Sequence, residues 1–163
     1  YDLGGYSLGG RIAVRLLARG AGPGRAVVAG QGLAKISGPQ GGGATRSALT
    51  ALADGTELPP GSAEAQLAHW AAQLGTDPLA LLHLLDSLVP TPEDELRRIT
   101  TPALVVIGDQ DERSDAGELA ALLPAGSFAR VPGDHGSAFR SPEFATVIED
   151  FLVGRTSHRS PHA

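Results

Sequence analysis

The chain has 163 residues, a formal net charge of −5 and no cysteine, with 42% hydrophobic and 19% charged residues. That length suits one hydrophobic core, and no apolar stretch approaches the roughly 18 residues of a membrane helix, so we expect a soluble protein. The missing cysteines exclude disulfides, thiolate nucleophiles and cysteine zinc sites, and the acidic balance without a block of like charge offers no basic surface for nucleic acid or an anionic membrane.

The first part of the chain contains one helix signal and one strand signal. Apolar residues at helical spacing predict a helix over 8–19, which Gly20 ends. A short apolar run bounded by glycine over 25–30 predicts a strand that is buried on both faces. Residues 31–43 are rich in glycine and lack periodicity, so we expect a loop there.

The middle of the chain, residues 44–98, has a helical pattern throughout. Four helices are predicted there, near 45–53, 62–74, 78–88 and 92–99. Ser62 is the expected cap of the second helix, and either Thr76 or Asp77 the cap of the third, because proline follows at the first helical position.

From residue 102 onward, strands and helices alternate again. The predicted elements are a strand over 102–108, a helix over 115–123, a strand over 128–131 and a helix over 141–153. Ser141 is the expected cap of the last helix. Strands that alternate with helices indicate an α/β fold with a parallel sheet, in which the all-helical middle is an insertion.

A G-x-S-x-G pentapeptide, Gly5-Tyr6-Ser7-Leu8-Gly9, directly precedes the first helix. In this motif a tight strand-to-helix turn holds the serine in a strained conformation, and both glycines are expected to be needed because side chains there would collide. The turn presents Ser7 as a candidate nucleophile, and the N–H of Leu8 at the helix start as an oxyanion donor. In a chain with 22 glycines, an ordinary glycine turn before a helix is the alternative for the pentapeptide taken alone.

Two further side chains follow predicted strands in the order Asp and then His. Asp111 lies three residues after Gly108, where one strand ends, and His135 follows the next strand. A serine nucleophile needs a base to take its proton and a carboxylate to orient that base. Because the carboxyl ends of parallel strands share one edge of a sheet, we expect both side chains to converge on Ser7.

Taken together, these segments resemble the α/β-hydrolase fold superfamily. The matching segments are the elbow 5–10 with the helix after it, the strand and acid 105–111, and the terminal 132–136. The resemblance implies that Ser7 is the nucleophile, Asp111 the orienting acid and His135 the general base. Serine at the elbow argues against the dehalogenase and epoxide-hydrolase branches, which use aspartate there.

The resemblance also predicts how the chain is divided. Residues 1–30 and 99–153 would form the hydrolase core, and residues 31–98 a helical cap or lid like the one that follows the sixth strand of the family. In the family the elbow follows a fifth strand, and an earlier loop gives the second oxyanion donor. We therefore expect a partial α/β-hydrolase fold truncated at its amino terminus, with an open strand edge before the elbow and a disordered tail over 154–163.

Three other aspartates lie near the assigned acid or the candidate base in the sequence, and each has its own expected role. Asp109 is the nearest rival to Asp111, which the resemblance favours because it comes three residues after the glycine. Asp115 is expected to cap a helix. Asp134, which neighbours the candidate base in the sequence, is expected to be a solvated loop carboxylate, with an influence on the imidazole as the alternative.

The predicted cap helices carry His69, His83 and Trp70. Both histidines are expected to be half-buried packing residues, with a substrate contact as the alternative. The tryptophan is expected to join the cap core, together with the leucines at 79, 81, 82, 84 and 85. No arrangement of His, Asp and Glu has metal-ligand spacing, so neither a metal nor another cofactor is expected.

The sequence thus predicts a serine hydrolase that acts by acyl transfer, most simply on a carboxylic ester with apolar groups. Amide, thioester and lactone substrates stay open, and the alternative is a catalytically idle hydrolase-like scaffold or an inactive fragment. We expect a small-molecule substrate as the partner, and neither nucleic acid nor a membrane. Without a targeting segment, the expected location is cytoplasmic.

Overall fold

Four short strands form one parallel sheet in the computed structural model, which describes residues 1–38 and 43–154. The strands are β1 Leu3–Tyr6, β2 Ala26–Ala29, β3 Ala103–Gly108 and β4 Gly126–Val131. They lie in the order β1-β2-β3-β4, and each neighbouring pair is parallel. The carboxyl ends of all four strands therefore meet at one edge of the sheet, as expected from the alternating pattern.

The helices follow the predicted order closely. They are α1 Leu8–Ala18, α2 Leu33–Ser37, α3 Ala44–Asp54, α4 Ala63–Gln73, α5 Pro78–Ser87, α6 Glu93–Leu96, α7 Ala116–Leu122 and α8 Pro142–Leu152, with a 3₁₀ turn at Ala138–Arg140. The caps predicted at Ser62 and Ser141 are confirmed, because both side chains accept a backbone N–H of the first turn. Of the two candidates for the cap of α5, the structure selects Asp77.

Helices cover both faces of the sheet. Val28 and Val105 belong to the core on one face, together with residues of α1, α2, α6 and α7. Val27 and Leu104 belong to the core on the other face, which α8 covers. Successive strand residues point to opposite faces, so strands β2 and β3 are buried along their whole length and read as continuous apolar runs.

The chain divides into two compact units. One contains the sheet and, within the described residues, comprises 1–38 and 91–154, while the other comprises 43–90. The predicted cap boundaries at 31 and 98 differ from these, because Ile36 of α2 and Leu96 of α6 are buried in the core of the sheet unit. The loop predicted over 31–43 is correspondingly wrong where α2 forms. Apart from its first residue, the predicted tail 154–163 lies outside the described residues.

The second unit consists of α3, α4 and α5. Its buried positions are mostly alanines, including Ala48 and Ala71, because helices that face each other through small residues leave the larger side chains outside. Of the leucines predicted in the cap core, those at 81, 82, 84 and 85 are half-buried, and Leu79 is exposed. The burial predicted for the tryptophan and the two histidines is wrong. Trp70 is 59% exposed, and His69 and His83 are exposed as well. No helix in 1–38 and 43–154 is long and apolar enough to cross a membrane.

Candidate active site

Ser7 lies in the turn between β1 and α1 and has an unusual backbone conformation. Its φ of 52° and ψ of −115° make it the one non-glycine residue with positive φ in the described part of the chain. Such a conformation costs about 1–3 kcal/mol and persists only where neighbouring groups hold it. The Ser7 N–H donates to the carbonyl of Ala29 at 2.9 Å, and the Ser7 carbonyl accepts from the side chain of Gln31 at 2.6 Å.

Close backbone approach explains the glycines of this turn. A Cβ on Gly5 would overlap the carbonyl group of Gly9, in agreement with the expectation for Gly5. The collision expected at Gly9 is wrong, because a Cβ there would meet no atom within 4 Å. The second tight position is Gly10, where a Cβ would lie 3.1 Å from the carbonyl oxygen of Ala29. The G-x-S-x-G pattern does not include Gly10, whose crowding comes from Ala29, Gln31 and Gly5.

The structure brings Ser7, His135 and Asp111 into one hydrogen-bonded row. The Nε2 atom of His135 lies 3.0 Å from Ser7 Oγ, and its Nδ1 atom lies 2.8 Å from Asp111 Oδ2. Asp111 follows β3 and His135 follows β4, so both side chains come from the carboxyl edge of the sheet. When the carboxylate is ionised, Nδ1 donates to it, and Nε2 is left to accept the serine hydroxyl proton.

The Asp111 carboxylate is completely buried and hydrogen-bonded at both oxygens. Its Oδ1 atom accepts the backbone N–H of Arg113 at 3.1 Å and the guanidinium Nη1 of the same residue at 3.0 Å. Burial by itself would raise the pKa of Asp111, but the hydrogen bonds from His135 and Arg113 outweigh it, and the pKa lies below its ordinary value. The carboxylate is therefore ionised at neutral pH. Arg113 carries no sequence signal that sets it apart from the other arginines.

The three aspartates that were compared with Asp111 in the sequence form their hydrogen bonds elsewhere. Asp109 Oδ1 accepts the backbone N–H of Gly133 at 2.9 Å and so fixes the loop after β4. Asp115 occupies the N-cap position of α7, as predicted, but its carboxylate makes no bond to that helix and accepts the backbone N–H of Ala34 in the first turn of α2 instead. Asp134 is exposed as expected, and the pKa of Asp134 is lowered chiefly by the hydroxyl of Ser137, which donates to it at 2.5 Å.

Tyr6 and Gly30 lie beside His135 and leave its imidazole little room to move. The hydroxyl of Tyr6 donates to the backbone carbonyl of His135 at 2.8 Å, and the two rings lie 5.4 Å apart. Burial raises the pKa of Tyr6, and the negative charge of Asp111 raises it further, so the hydroxyl keeps its proton. Gly30 has φ 63°, and a Cβ there would lie 2.9 Å from Tyr6 Cζ and 3.2 Å from His135 Cε1.

Leu8 is the first residue of α1. Its N–H is one of the four that a helix start leaves without an intrahelical partner, and it directly follows the serine in the chain. A groove of about 350 Å³ along β1 and α8 is separate from the row: it includes Tyr6 but neither Ser7 nor His135. Within residues 1–38 and 43–154, no three His, Asp or Glu side chains are grouped so that they could hold a metal ion.

Comparison with known proteins gives matches among solved structures, whereas no family model and no curated protein matches the chain. A bromoperoxidase from Bacillus anthracis has a TM-score of 0.65 at 20% identity, over 93% of this chain and 67% of that one. MGS-M2, an α/β hydrolase from a Medee basin deep-sea metagenome library, has a TM-score of 0.65 at 16% identity, over 99% and 67%. An enol-lactonase from Burkholderia xenovorans LB400 has a TM-score of 0.63 at 22% identity, over 92% and 64%.

The chain spans about two thirds of the length of these structures. Over that portion it has a parallel sheet with helices on both faces and an insertion between β2 and β3. The chain therefore has a partial α/β-hydrolase fold.

Proposed function

We propose that the chain is a serine hydrolase that transfers an acyl group to water. The observation that supports this most directly is the hydrogen-bonded row, with 3.0 Å between Ser7 Oγ and His135 Nε2 and 2.8 Å between His135 Nδ1 and Asp111 Oδ2. A serine hydroxyl is a weak nucleophile until a base takes its proton, and the base works only in the right tautomer. Each of the three side chains has one of these tasks in the proposal.

In the acylation step, His135 Nε2 takes the hydroxyl proton as Ser7 Oγ forms a bond to the carbonyl carbon of the substrate. The carbonyl oxygen becomes an oxyanion, and the imidazolium is stabilised by the ionised Asp111. When the tetrahedral intermediate collapses, the carbon–oxygen bond to the leaving alcohol breaks. His135 gives its proton to that alcohol, and the acyl group stays on Ser7.

Deacylation repeats the same chemistry with water. His135 takes a proton from a water molecule, whose oxygen attacks the acyl carbon. Collapse of the second intermediate breaks the bond to Ser7 Oγ, which recovers a proton from His135. The products are a carboxylic acid and the free enzyme, so no redox partner or cofactor is needed.

The N–H of Leu8 is the oxyanion donor in this proposal. It follows the nucleophile directly and begins α1, whose dipole also favours negative charge at this end. One such donor contributes on the order of 10²- to 10³-fold to turnover. The strained backbone of Ser7 fixes the donor and the nucleophile relative to each other before the substrate arrives.

A carboxylic ester with apolar groups is the substrate class that we propose. Esters are the acyl donors that such a Ser-His-Asp row cleaves most easily, because an alcohol is a better leaving group than an amine. The similarity to an enol-lactonase supports this choice, since a lactone is a cyclic ester. Hydrolysis of p-nitrophenyl acetate, butyrate and octanoate, compared with the matching p-nitroanilides, tests both the bond that is cleaved and the preferred acyl length.

Labelling with a fluorophosphonate probe tests the nucleophile. We expect the parent chain to be labelled at Ser7, as mapped by peptide mass spectrometry, and Ser7→Ala to remain unlabelled. Ser87→Ala is the matched control, because Ser87 is an exposed serine whose hydroxyl donates to the carbonyl of Leu84. This control should be labelled at the parent's rate.

The opposite outcome would favour an idle scaffold. If folded parent chain is not labelled, or if Ser7→Ala is labelled equally, the row does not make Ser7 reactive and the hydrolase proposal is wrong. Circular dichroism of the labelled samples establishes that each variant is folded.

A further inference from the structure

We propose that Arg113 is a positioning residue for the buried acid of the row: it holds one carboxylate oxygen of Asp111 so that the other faces His135, and its positive charge sets the acidic limit of the enzyme's activity. The inference rests on the proposed function, which it deepens by assigning the origin of the pH range of the enzyme. Nothing in the sequence motifs points to this residue. Its contacts with Asp111 carry the proposal.

Two N–H groups of Arg113 donate to the same oxygen of Asp111. The backbone N–H lies 3.1 Å from Oδ1 and the guanidinium Nη1 3.0 Å from it, while the other oxygen, Oδ2, faces His135. Arg113 therefore holds the carboxylate from the side opposite the imidazole. The carboxylate cannot rotate without breaking its two hydrogen bonds to Arg113. This arrangement leaves a single carboxylate oxygen to orient the base.

The guanidinium is itself well enclosed. The Arg113 side chain is 15% exposed, and its other acidic neighbour, Glu112, is 79% exposed and 3.8 Å away. Asp111 is consequently the main partner, and little solvent screens the pair. The Nε atom of Arg113 is buried without a hydrogen-bond partner among the described residues. A buried donor left without a partner costs about 1–3 kcal/mol, so packing alone would favour a guanidinium that reaches solvent. The guanidinium nevertheless stays bonded to Asp111.

The charge of Arg113 disfavours a second positive charge on the imidazole in two ways. It shares the carboxylate that would otherwise stabilise the imidazolium, and it repels the imidazolium directly. Among the described residues, the Ser7 hydroxyl bonds the ring and the Tyr6 ring lies 5.4 Å from it, while Asp134 precedes the histidine on its own loop. Asp134 is exposed and therefore well screened. Gly30, the contact from the loop after β2, is uncharged.

Neutral substitution separates the charge of Arg113 from its packing. Arg113→Met keeps the aliphatic stem and the backbone N–H bond to Asp111 but removes the guanidinium. Arg113→Gln is a second neutral variant, in case methionine fails to fold, and Arg113→Lys restores the charge. Arg98→Met is the matched control, because Arg98 pairs with Asp94 on the surface and its removal changes the net charge equally.

The imidazole C–H resonances, assigned with a His135→Gln variant, report the protonation of His135 without any substrate. We expect the titration midpoint to move up by about one pH unit in Arg113→Met and Arg113→Gln. It should stay within about 0.2 units of the parent in Arg98→Met and in the lysine variant. The acidic limb of the pH profile of kcat/KM for p-nitrophenyl butyrate should move by the same amount. The value of kcat/KM on the plateau at high pH should stay unchanged.

Two results would overturn the inference. In one, folded neutral variants titrate at the parent's midpoint, even if their turnover falls at every pH, as a purely structural role predicts. In the other, Arg98→Met shifts the midpoint as far as Arg113→Met does. Failure of the proposed function looks different: the midpoint still moves in the neutral variants, but the probe does not label Ser7.

Discussion

The side-chain amide of Gln31 donates a 2.6 Å hydrogen bond to the backbone carbonyl oxygen of Ser7. Gln31 follows β2 and is 3% exposed, so this bond is made in the interior of the sheet unit. The same carbonyl accepts the N–H of Arg11, at a longer 3.3 Å. The amide therefore holds the strained peptide from which the Ser7 hydroxyl reaches His135.

Replacing Gln31 with methionine should weaken this turn and slow the reaction of its serine. The Ser7 carbonyl loses its shorter partner, so we expect the free energy of unfolding to fall by about 1–2 kcal/mol. We also expect phosphonylation of Ser7 by the fluorophosphonate to slow by about tenfold in the folded variant, because a serine hydroxyl that is less well positioned reacts more slowly. Urea unfolding and the second-order labelling rate measure the two effects.

Gln66→Met is the control for this prediction, since Gln66 bonds a backbone carbonyl on the surface at 3.4 Å. Equal labelling rates for Gln31→Met and the parent would contradict the prediction.

Alanine at Gly30 should be more harmful than alanine at a glycine of the same backbone conformation. Gly30 and Gly75 have φ 63° and φ 62°, so both substitutions place a Cβ in the left-handed region, at about 1 kcal/mol. Around Gly75 the space is open, whereas at Gly30 the Cβ would lie 2.9 Å from Tyr6 and 3.2 Å from the imidazole. We expect Gly30→Ala to lose a further 1–3 kcal/mol or so, and to slow the labelling of Ser7. Thermal unfolding of the two variants in parallel gives the comparison, and equal losses would show that the rings are not confined by this glycine.

The row of three side chains could be predicted because each member follows a local signal. The serine lies in a pentapeptide before a helix, and the aspartate and histidine each follow a predicted strand. Parallel strands bring those loops to one edge, so chain order was sufficient. Arg113 and Gln31 carry no such signal, because their roles arise from tertiary contacts with Asp111 and Ser7.

The errors in the helical part of the chain have a similar physical origin. Helical periodicity identifies an apolar stripe, but not which residues of that stripe are covered by a neighbouring helix. The pattern predicts Trp70 inside, but it is exposed, and the buried residues of α3 and α4 are Ala48, Leu49, Ala51 and Ala71. The short helix α2 was missed since a glycine-rich segment weakens the periodic pattern, although Ile36 anchors it in the core of the sheet.

Tyr6→Phe should loosen the loop that carries His135 without disturbing the fold. The substitution removes the hydroxyl that donates to the carbonyl of His135 at 2.8 Å and keeps the ring that packs against the imidazole. We expect a loss of about 1 kcal/mol in unfolding free energy, and a kcat for p-nitrophenyl butyrate reduced severalfold with a similar KM. Tyr1→Phe, at a position that is 81% exposed, controls for the loss of a phenol. A change in KM alone would indicate that Tyr6 contacts the substrate rather than the loop.

The free energy of unfolding should decrease at low pH because Asp111 becomes protonated. The pKa of Asp111 is lowered in the folded protein: burial opposes this, but the bonds from His135 and Arg113 prevail. In the unfolded chain the carboxyl returns to about 3.9, so near and below that pH the unfolded state binds more protons than the folded state. The stabilisation is thus complete above about pH 5, and it is lost as the pH falls through the folded value. Asp111→Asn removes this contribution.

Urea unfolding of the parent and of Asp111→Asn at pH 7, 5, 3.5 and 2.5 measures the effect. At pH 7 we expect the variant to be less stable by about 1–3 kcal/mol, because the guanidinium of Arg113 loses a buried charged partner. The difference should narrow from pH 5 to pH 2.5, because only the parent loses the ionised form of residue 111 over that range. Asp94→Asn, which alters an exposed ion pair with Arg98, should show no comparable narrowing. A difference between the parent and Asp111→Asn that stays constant over the four pH values would mean that the carboxylate is not held in its ionised form by the imidazole and the guanidinium.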